Sequence, residues 1–274
     1  MRVPPVEGSR RQFFGACALV AAAPFLDRLV VLAGQTAPAP PPPDTTLIDD
    51  LVAANRILAQ EQIVDGYGHV SARNPRRADR FHLARSVAPE LVTAADIMEY
   101  DLDGAPVDPR GRTSYRERFI HSEIYRARAD VNAVVHCHAP SLIPFGVSKV
   151  ALRPVYHQSA FIAEGIPVFE IRSAGGMTNM LIGDAPLGRA LARTLGNKPA
   201  ALMRGHGAVI VGDTIPTTVG RSVYLEVNAR LQAQAMALGG PITYLDVEEA
   251  RLYYATPDPY GRAWELWKRK VMAK

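Results

Sequence analysis

The sequence predicts an α/β domain, because stretches with helical spacing alternate with short apolar stretches that are typical of strands. Residues 44–62 carry leucine and isoleucine on one side of a helix, with Asp44 or Thr45 in position to cap it. The run Val134–His138 begins with two β-branched residues, which favours a strand. Residues 216–238 form a second long helical stretch. A chain of 274 residues is long enough for one large domain with a core of ordinary size.

The other elements follow in chain order around these three. Gly66 and Gly68 end the first helical pattern and lead into a loop. The run 101–104 predicts a turn between strands, because the remaining ligands of a calcium loop are missing. The range 245–274 predicts a helix that holds both tryptophans, which pack in the core or an interface, or cover a neighbouring subunit's site. The further predicted elements are strands at 81–83, 167–171 and 200–211, a short helix from 94, and an amphipathic helix at 118–128.

The N-terminus has the pattern of a twin-arginine export signal. Ser9–Phe14 contains the arginine pair, an apolar stretch follows from Gly15 to Ala33, and small residues up to Ala39 suit cleavage. Asp27 and Arg28 interrupt the apolar stretch, which disfavours a stable membrane span. A disordered leader or a membrane anchor is the alternative interpretation.

These features predict the domain organisation and the location. We expect a signal at 1–39, a proline-rich linker at 40–46 and one domain at 47–274. Such a signal implies the twin-arginine translocase as a partner during export, a periplasmic location, and a mature chain without a stable membrane span.

Composition excludes several classes of function. The charged fraction of 21% and the hydrophobic fraction of 48% are ordinary for a globular domain. The formal net charge is +4, but residues 1–39 hold four arginines and two acidic residues, so the remainder carries +2. No basic cluster with interleaved aromatic residues follows, so nucleic acid is not a predicted partner. Cys17 lies in the leader, which leaves Cys137 alone in the domain and excludes an intramolecular disulfide there.

The run His136–Cys137–His138 is the strongest functional signal. Side chains alternate along a strand, so both histidines project to one face and Cys137 projects to the other. Glu117 lies upstream and His206 lies downstream. Three histidines and one glutamate make a mononuclear site for a divalent metal ion, with room for a substrate oxygen.

Each of these residues also has a structural explanation. An H-x-H pair can be two exposed strand residues, or one packed residue and one solvated residue. Glu117 completes the run Ser114–Glu117, which fits a capping box at the start of a helix. Gly205 and Gly207 flank His206 and fit a hairpin turn. The combination of the four residues favours the metal site.

Four motifs resemble those of the class II aldolase/adducin family, over residues 48–240. They are a Gly-x-(Val/Ile)-Ser-x-Arg loop at 68–73, a Glu-x-x-x-His helix start at 117–121, a metal-binding strand at 130–138, and an Arg-Gly-His-Gly loop at 204–207. The resemblance implies a three-layer α/β/α sandwich around a mostly antiparallel central sheet. It also implies a homo-oligomer, with a tetramer favoured and the site between neighbouring subunits.

The same resemblance implies roles for the four residues. His136, His138 and His206 would bind the metal ion. Glu117 would be the fourth ligand, or a general acid/base that leaves the metal ion when substrate arrives. Carboxylate-plus-imidazole ligation accepts several divalent ions, so we expect one ion per chain, with Zn favoured and Mn, Fe or Co as alternatives.

Departures from the family pattern bear on the substrate. Sugar-phosphate aldolases of the family carry Asn where this chain has His69, and small hydroxyl residues where it has Arg85, Tyr115 and Arg116. Those family residues cradle a phosphate, so their loss argues against a phosphorylated sugar. Histidine, arginine and tyrosine suit carboxylate and phenol-type oxygens instead. The pattern resembles the branch that contains decarboxylases of hydroxylated aromatic or pyridine dicarboxylates.

We therefore predict an exported, metal-dependent lyase that removes CO2 from a hydroxylated aromatic or heteroaromatic carboxylate. The predicted catalytic residues are Glu117, His69 and Tyr115. The predicted substrate-binding residues are Ser71, Arg85, Ser86, Arg116, Arg118 and His157. A buried structural role is the alternative for His157, and His121 either orients a ligand or is structural. The alternatives for the whole chain are an aldolase acting on a non-phosphorylated hydroxy-carbonyl substrate and a non-catalytic, adducin-like binding protein.

Overall fold

The computed structural model describes residues 45–255 and 259–273. The export signal predicted at 1–39 and most of the linker predicted at 40–46 lie outside these residues. The first helix begins at Thr45, so the last two residues assigned to the linker belong to the helix. In the described part of the chain, no helix is both long and apolar enough to cross a membrane.

One seven-stranded sheet forms the centre of the domain. Its strands are β1 (His69–Asn74), β2 (Arg77–Ala84), β3 (Ile97–Asp101), β4 (Ala133–Cys137), β5 (Val168–Phe169), β6 (Ala200–Met203) and β7 (Gly207–Gly212). The order is β3-β2-β1-β4-β7-β6-β5, and every neighbouring pair is antiparallel except β5 and β6, which are parallel. The predicted strand at 200–211 is therefore two strands joined by a turn. The mostly antiparallel sheet is confirmed.

Helices cover both faces of this sheet. They are α1 (Thr45–Gln60), α2 (Arg118–Ala127), α3 (Ile143–Val147), α4 (Ile171–Gly175), α5 (Ala185–Leu195), α6 (Ile215–Ala237), α7 (Val247–Tyr254) and α8 (Gly261–Met272). Short 3-10 helices lie at Pro89–Leu91, Ala94–Asp96, Pro140–Leu142 and His157–Ile162. The apolar residues of α1, α6 and α8 pack in one core, and those of α2 and α5 pack in a second core. The predicted three-layer α/β/α sandwich is confirmed.

The alternation of side chains along β4 separates the two cores. Val135 and Cys137 pack in the core of α1, α6 and α8, whereas Val134 packs in the core of α2 and α5. His136 follows the same alternation and therefore lies on the face that α2 covers. Burial raises the pKa of the Cys137 thiol to about 12. Cys137 is thus a packed residue on the far side of the strand, as predicted.

The C-terminal helix completes the first core. Trp264 and Trp267 of α8 are buried there with residues of α1 and α6. Lys268 on the same helix donates to Asp50 of α1 at 2.6 Å. The two tryptophans are therefore core residues within this chain, which is one of the roles that the sequence predicted for them.

Candidate metal centre

The predicted ligands meet at one end of the central strands. β4 ends where its neighbours β1 and β7 begin, so His136 lies opposite His69 on one side and opposite Val209 on the other. His138 follows β4 directly, and His206 precedes β7. Antiparallel pairing thus brings together residues that are far apart along the chain.

His136 is held in one ring orientation by a backbone carbonyl. The ring is fully buried, and its Nδ1 atom lies 3.0 Å from the carbonyl oxygen of Ala208. A carbonyl can only accept, so Nδ1 carries the proton and Nε2 presents a lone pair. A metal-binding histidine needs this tautomer, and a second hydrogen bond of this kind commonly fixes it.

Two further imidazoles converge on the same point. The Nε2 atom of His138 lies 3.1 Å from Nε2 of His136 and 3.1 Å from Nε2 of His206. The turn that carries His206 needs Gly205, whose φ is +63°, a conformation that favours glycine. It also needs Gly207, where a Cβ atom would lie 2.0 Å from the carbonyl oxygen of Cys137. Gly205 therefore serves the sharp turn and Gly207 serves the close approach of β7 to β4, which are the two properties that glycines on either side of His206 predict.

The Glu117 carboxylate is the fourth group. Its Oε2 atom lies 3.5 Å from Nε2 of His136 and 3.6 Å from Nε2 of His206, and Oε1 accepts a hydrogen bond from the Ile182 amide at 2.8 Å. The capping box predicted for Ser114–Glu117 is wrong. Helix α2 begins three residues later than that box requires, with Glu117 at its N-cap and without a side-chain cap. The imidazoles and the Ile182 amide hold the carboxylate away from the helix end.

The four side chains fit a divalent metal ion. Their ligand atoms all lie within 4.8 Å of one another. Metal–nitrogen bonds of about 2.0–2.1 Å in tetrahedral geometry place neighbouring ligand atoms about 3.3–3.4 Å apart, and the separations given above are close to this value. The Nδ1 atom of His206 is buried and has no hydrogen-bond partner among the described residues. The polar contacts of this ring are therefore made by Nε2, the nitrogen that faces His138 and Glu117.

Electrostatics keep the ligands in the form that binds a metal ion. Burial, followed by the neighbouring His136 and His206, lowers the pKa of His138 to about 4. Burial by itself would raise the pKa of Glu117, but the contacts with His136 and His206 lower this pKa overall, well below its usual range. At neutral pH the site therefore presents a neutral imidazole and a carboxylate at these two positions, as metal binding requires.

His69 and Tyr115 lie beside this centre. The ring centroid of His69 is 5.2 Å from that of His136 and 4.6 Å from that of Tyr115. The Tyr115 hydroxyl donates to the carbonyl oxygen of Val87, and burial raises the pKa of this hydroxyl to about 12. Tyr115 is therefore near the predicted site, but its proton is committed to the backbone, which differs from the predicted catalytic role.

The predicted substrate-binding residues fall into two groups. Arg85 and Arg116 are at least partly exposed; Arg85 pairs with Asp96 at 2.5 Å. Ser86 is exposed, and its backbone amide donates to the carbonyl oxygen of Thr113. These three residues leave side-chain surface open to a ligand.

The other three have different surroundings. Arg118 donates to the carbonyl oxygens of Gly104, at 2.6 Å, and of Tyr115, so its guanidinium fixes backbone. His157 is exposed and packs its ring against Tyr253. Ser71 is fully buried under α2 rather than open to a substrate, because odd-numbered residues of β1 face that helix. The buried structural role that was the alternative for His157 is wrong, because this side chain is exposed, and substrate binding by Arg118 and His157 stays a prediction.

Three features near the centre were not predicted. The Ile182 amide that fixes Glu117 comes from a loop that carries no motif. Tyr67 is 72% exposed, and its ring centroid lies 6.4 Å from that of His138. A hydrogen-bonded group of buried residues also surrounds His121. The spacing Glu117–His121–Tyr125, four residues at each step on α2, is the sequence signal that indicates one helix face.

A groove of about 960 Å3 lies at the opposite ends of the strands. Arg73, Asn132, Asp213 and Trp264 are among the residues that line it. None of its described lining residues is a histidine or cysteine. The converging imidazoles, rather than this groove, therefore mark the candidate functional site.

Comparisons with known proteins agree with this geometry. The family profile described as "Class II Aldolase and Adducin N-terminal domain" matches residues 49–233. The chain belongs to the class II aldolase/adducin family. The decarboxylase tropJ of Talaromyces stipitatus is 33% identical over 253 residues, which cover 84% of this chain and 95% of that protein. The 3,4-dihydroxyphthalate decarboxylase of Arthrobacter keyseri is 27% identical, over 70% of this chain and 79% of that protein.

Solved structures support the same family fold. The L-fuculose 1-phosphate aldolase of Glaciozyma antarctica has a TM-score of 0.69 and 23% identity, covering 86% of this chain and 94% of that chain. At this identity the likeness bears on the fold alone. Relatives that are named as decarboxylases identify this member of the class II aldolase/adducin family as a lyase.

Proposed function

We propose that this protein is a metal-dependent decarboxylase of a hydroxylated aromatic or heteroaromatic carboxylate or dicarboxylate. The observation that carries the proposal is the convergence of three imidazoles and one carboxylate in a chain 33% identical to a decarboxylase. One divalent ion per chain fits this donor set, and zinc suits four ligands of this kind best. A divalent ion held there supplies a Lewis acid that stabilises negative charge on a substrate oxygen.

The reaction fixes what the side chains must do. The ring carbon that bears the carboxylate is first protonated, as electrons from the ionised hydroxyl oxygen move into the ring and that oxygen becomes a carbonyl. The bond to the carboxylate then breaks, CO2 leaves, and the electron pair of that bond restores the aromatic ring and returns the negative charge to the oxygen. His69 and Glu117 are the side chains that can deliver this proton to the ring carbon, and because Glu117 is a carboxylate at neutral pH, it would first take the proton of the substrate hydroxyl. Arg85 or Arg116 is suited to hold a second carboxylate, because guanidinium binds carboxylate in a bidentate manner.

Two observations support this substrate class: the positive charge of the arginines and the loss of the family's phosphate-binding hydroxyl residues. Small hydroxyl residues that cradle phosphate in sugar-phosphate aldolases are replaced here by Arg85, Tyr115 and Arg116. Cationic groups next to an aromatic side chain favour an anionic aromatic ligand over a neutral sugar. Tyr67 offers a further exposed ring at the edge of the centre. We therefore begin with dihydroxylated benzene dicarboxylates as candidate substrates.

The test is CO2 release by the zinc-reconstituted protein. Wild type, His138→Ala and, as a control at an exposed residue of α8, Lys270→Ala are incubated with 3,4-dihydroxyphthalate. We expect CO2 release from wild type and the control, and none from His138→Ala. Turnover that survives chelation, or full activity of His138→Ala, would contradict the proposal. Carbonyl products without CO2 would indicate the aldolase, and a lack of both turnover and metal would indicate a non-catalytic, adducin-like role.

Export and assembly belong to the same proposal. The arginine pair at Arg10 and Arg11 supports export by the twin-arginine route to the periplasm. Cell fractionation of the wild type and of the double Arg10→Lys, Arg11→Lys variant tests this: retention of only the variant in the cytoplasm supports export. We also propose a homotetramer, which light scattering coupled to size-exclusion chromatography measures directly.

A further inference from the structure

A chain of hydrogen bonds leads from the edge of the metal centre into the core. The Nδ1 atom of His69 lies 2.6 Å from Nε2 of His121, and Nδ1 of His121 lies 2.6 Å from the Ser71 hydroxyl. The Ser71 hydroxyl lies 2.8 Å from that of Tyr125. All four side chains are at most 4% exposed. An apolar core packs without side-chain hydrogen bonds, so a row of three short ones between buried residues indicates a role beyond packing.

Two periodicities build this row. His69 and Ser71 are two apart on β1 and face α2 together, while His121 and Tyr125 are four apart on one face of α2. Each hydrogen bond of the row therefore joins a residue of β1 to a residue of α2. Because His69 is the cross-strand neighbour of His136, the row begins at the metal centre.

The far end of the row fixes the direction of its protons. The Tyr125 hydroxyl has one proton, and its side-chain partner in the described structure is the Ser71 oxygen. If Ser71 donated to Tyr125, the phenol proton would be buried without an acceptor, which is costly. Tyr125 therefore donates to Ser71.

The remaining bonds follow from this direction. The Ser71 oxygen accepts the hydrogen bond from Tyr125, and the Ser71 hydroxyl donates its own proton to Nδ1 of His121. His121 then carries its proton on Nε2 and donates to Nδ1 of His69. The proton of His69 is left on Nε2, on the ring edge that is turned away from α2.

We infer that Ser71, His121 and Tyr125 are positioning residues that hold His69 as the Nε2–H tautomer, so that His69 donates a hydrogen bond to an anionic oxygen of the substrate beside the metal centre. The inference rests on the proposed function for the identity of that oxygen, a carboxylate or phenolate. Such a site selects an acceptor on the substrate and rejects a donor, such as an ammonium group, at the same position. His69 contacts the substrate, and the other three act through it.

The test measures the tautomer directly. The zinc-loaded protein is labelled with 15N-histidine, and solid-state or long-range 1H–15N correlation spectra report which nitrogen of each ring is protonated, with His69→Gln assigning the His69 signals. The variants are Ser71→Ala, which removes the donor to His121, and Ser122→Ala. Ser122 is a matched control because it is equally buried next to His121 in sequence, and its hydroxyl has no hydrogen-bond partner in the described structure.

We expect His69 to be the Nε2–H tautomer in wild type and Ser122→Ala, and a mixture of tautomers in Ser71→Ala. With a substrate in hand, kcat of Ser71→Ala falls by about 10- to 100-fold, the range for groups that orient a site residue, while KM changes less. An Nδ1–H tautomer in wild type, or an unchanged tautomer in Ser71→Ala, would overturn the inference. The spectra need no turnover, so a failure of the proposed decarboxylation is recognised separately.

Discussion

Replacing Gly207 by alanine tests how closely β7 must approach β4 for the metal centre to form. Gly207 does not have a positive φ, so alanine is not excluded by backbone conformation. The new Cβ atom would lie 2.0 Å from the Cys137 carbonyl oxygen, whereas close carbon–oxygen contacts in proteins are about 3.3–3.6 Å. The strands must therefore separate by roughly 1 Å at the point where His138 leaves β4 and His206 enters β7.

The cost can be worked from the groups that move. Overpacking that shifts backbone costs about 1–3 kcal/mol. The hydrogen bond from Nδ1 of His136 to the neighbouring Ala208 carbonyl is strained as well, at about 1 kcal/mol. A loss of about 2–4 kcal/mol is a large part of a typical total of about 5–15 kcal/mol. At about 2–4 °C per kcal/mol for a domain of this size, Tm of Gly207→Ala should fall by about 5–15 °C.

The assay is thermal unfolding at fixed protein concentration, together with zinc titration. Gly66→Ala is the control: this glycine lies in the loop before β1, has no positive φ, and a Cβ there meets nothing within 4 Å. We expect Gly66→Ala to behave as wild type and Gly207→Ala to bind zinc about 10- to 100-fold more weakly, because the groups that orient its ligands have moved. Equal Tm and equal zinc affinity in the two variants would refute the reasoning.

Two further predictions concern stability. Burial, and then the neighbouring His136, lowers the pKa of His121 to about 3, so the folded protein favours the neutral ring. The unfolded chain takes up a proton at this histidine below about pH 6.5, whereas the folded protein does not. The free energy of unfolding therefore falls by about 1.4 kcal/mol per pH unit as the pH drops below that value. His121→Asn should therefore flatten the decline of urea stability between pH 7 and pH 5 in the metal-free protein, whereas Ser122→Ala, which removes no titratable group, should keep the slope of wild type. Equal slopes of His121→Asn and wild type would contradict this. Trp264→Ala should lower the free energy of unfolding by about 3–5 kcal/mol, because this side chain fills the core under α8. Leu266→Ala, on the exposed side of the same helix, is the control and should change this free energy by no more than about 0.5 kcal/mol. Comparable urea midpoints of the two variants would contradict the core role of Trp264.

The sequence predicted that Glu117, His136, His138 and His206 would converge because local geometry determines most of their arrangement. Strand alternation places His136 and His138 on one face whatever the rest of the fold does, and glycine on both sides of His206 indicates a tight turn. These residues also form the motifs that resemble the family, so the fold class could be predicted together with them. The α/β/α layers and the antiparallel sheet agree with that prediction.

The capping box failed for a physical reason. Ser114 and Glu117 have the right spacing, but a capping box competes with every other donor that the carboxylate can reach. In the fold, the Ile182 amide and two imidazoles surround Glu117 and offer stronger partners than a helix end. Such competition depends on chain segments that are distant in sequence.

The directions of the arginines and of Ser71 depend on tertiary contacts in the same way. Arginine is a residue type that suits a carboxylate substrate, yet Arg118 donates a hydrogen bond to the carbonyl oxygen of Gly104 instead. Ser71 belongs to a motif loop, but only the docking of α2 decides that its hydroxyl bonds to His121. Contacts between β1 and α2 join residues about fifty positions apart, and no local pattern reports them.

The central claim is that Glu117, His136, His138 and His206 hold a divalent ion, and elemental analysis tests it most directly. The purified protein is compared with a His136→Ala, His138→Ala double variant after both are reconstituted with zinc and desalted. The account predicts about one zinc ion per chain in the parent protein and almost none in the variant. A parent protein that holds no ion after reconstitution, or a double variant that holds as much as the parent, would contradict it.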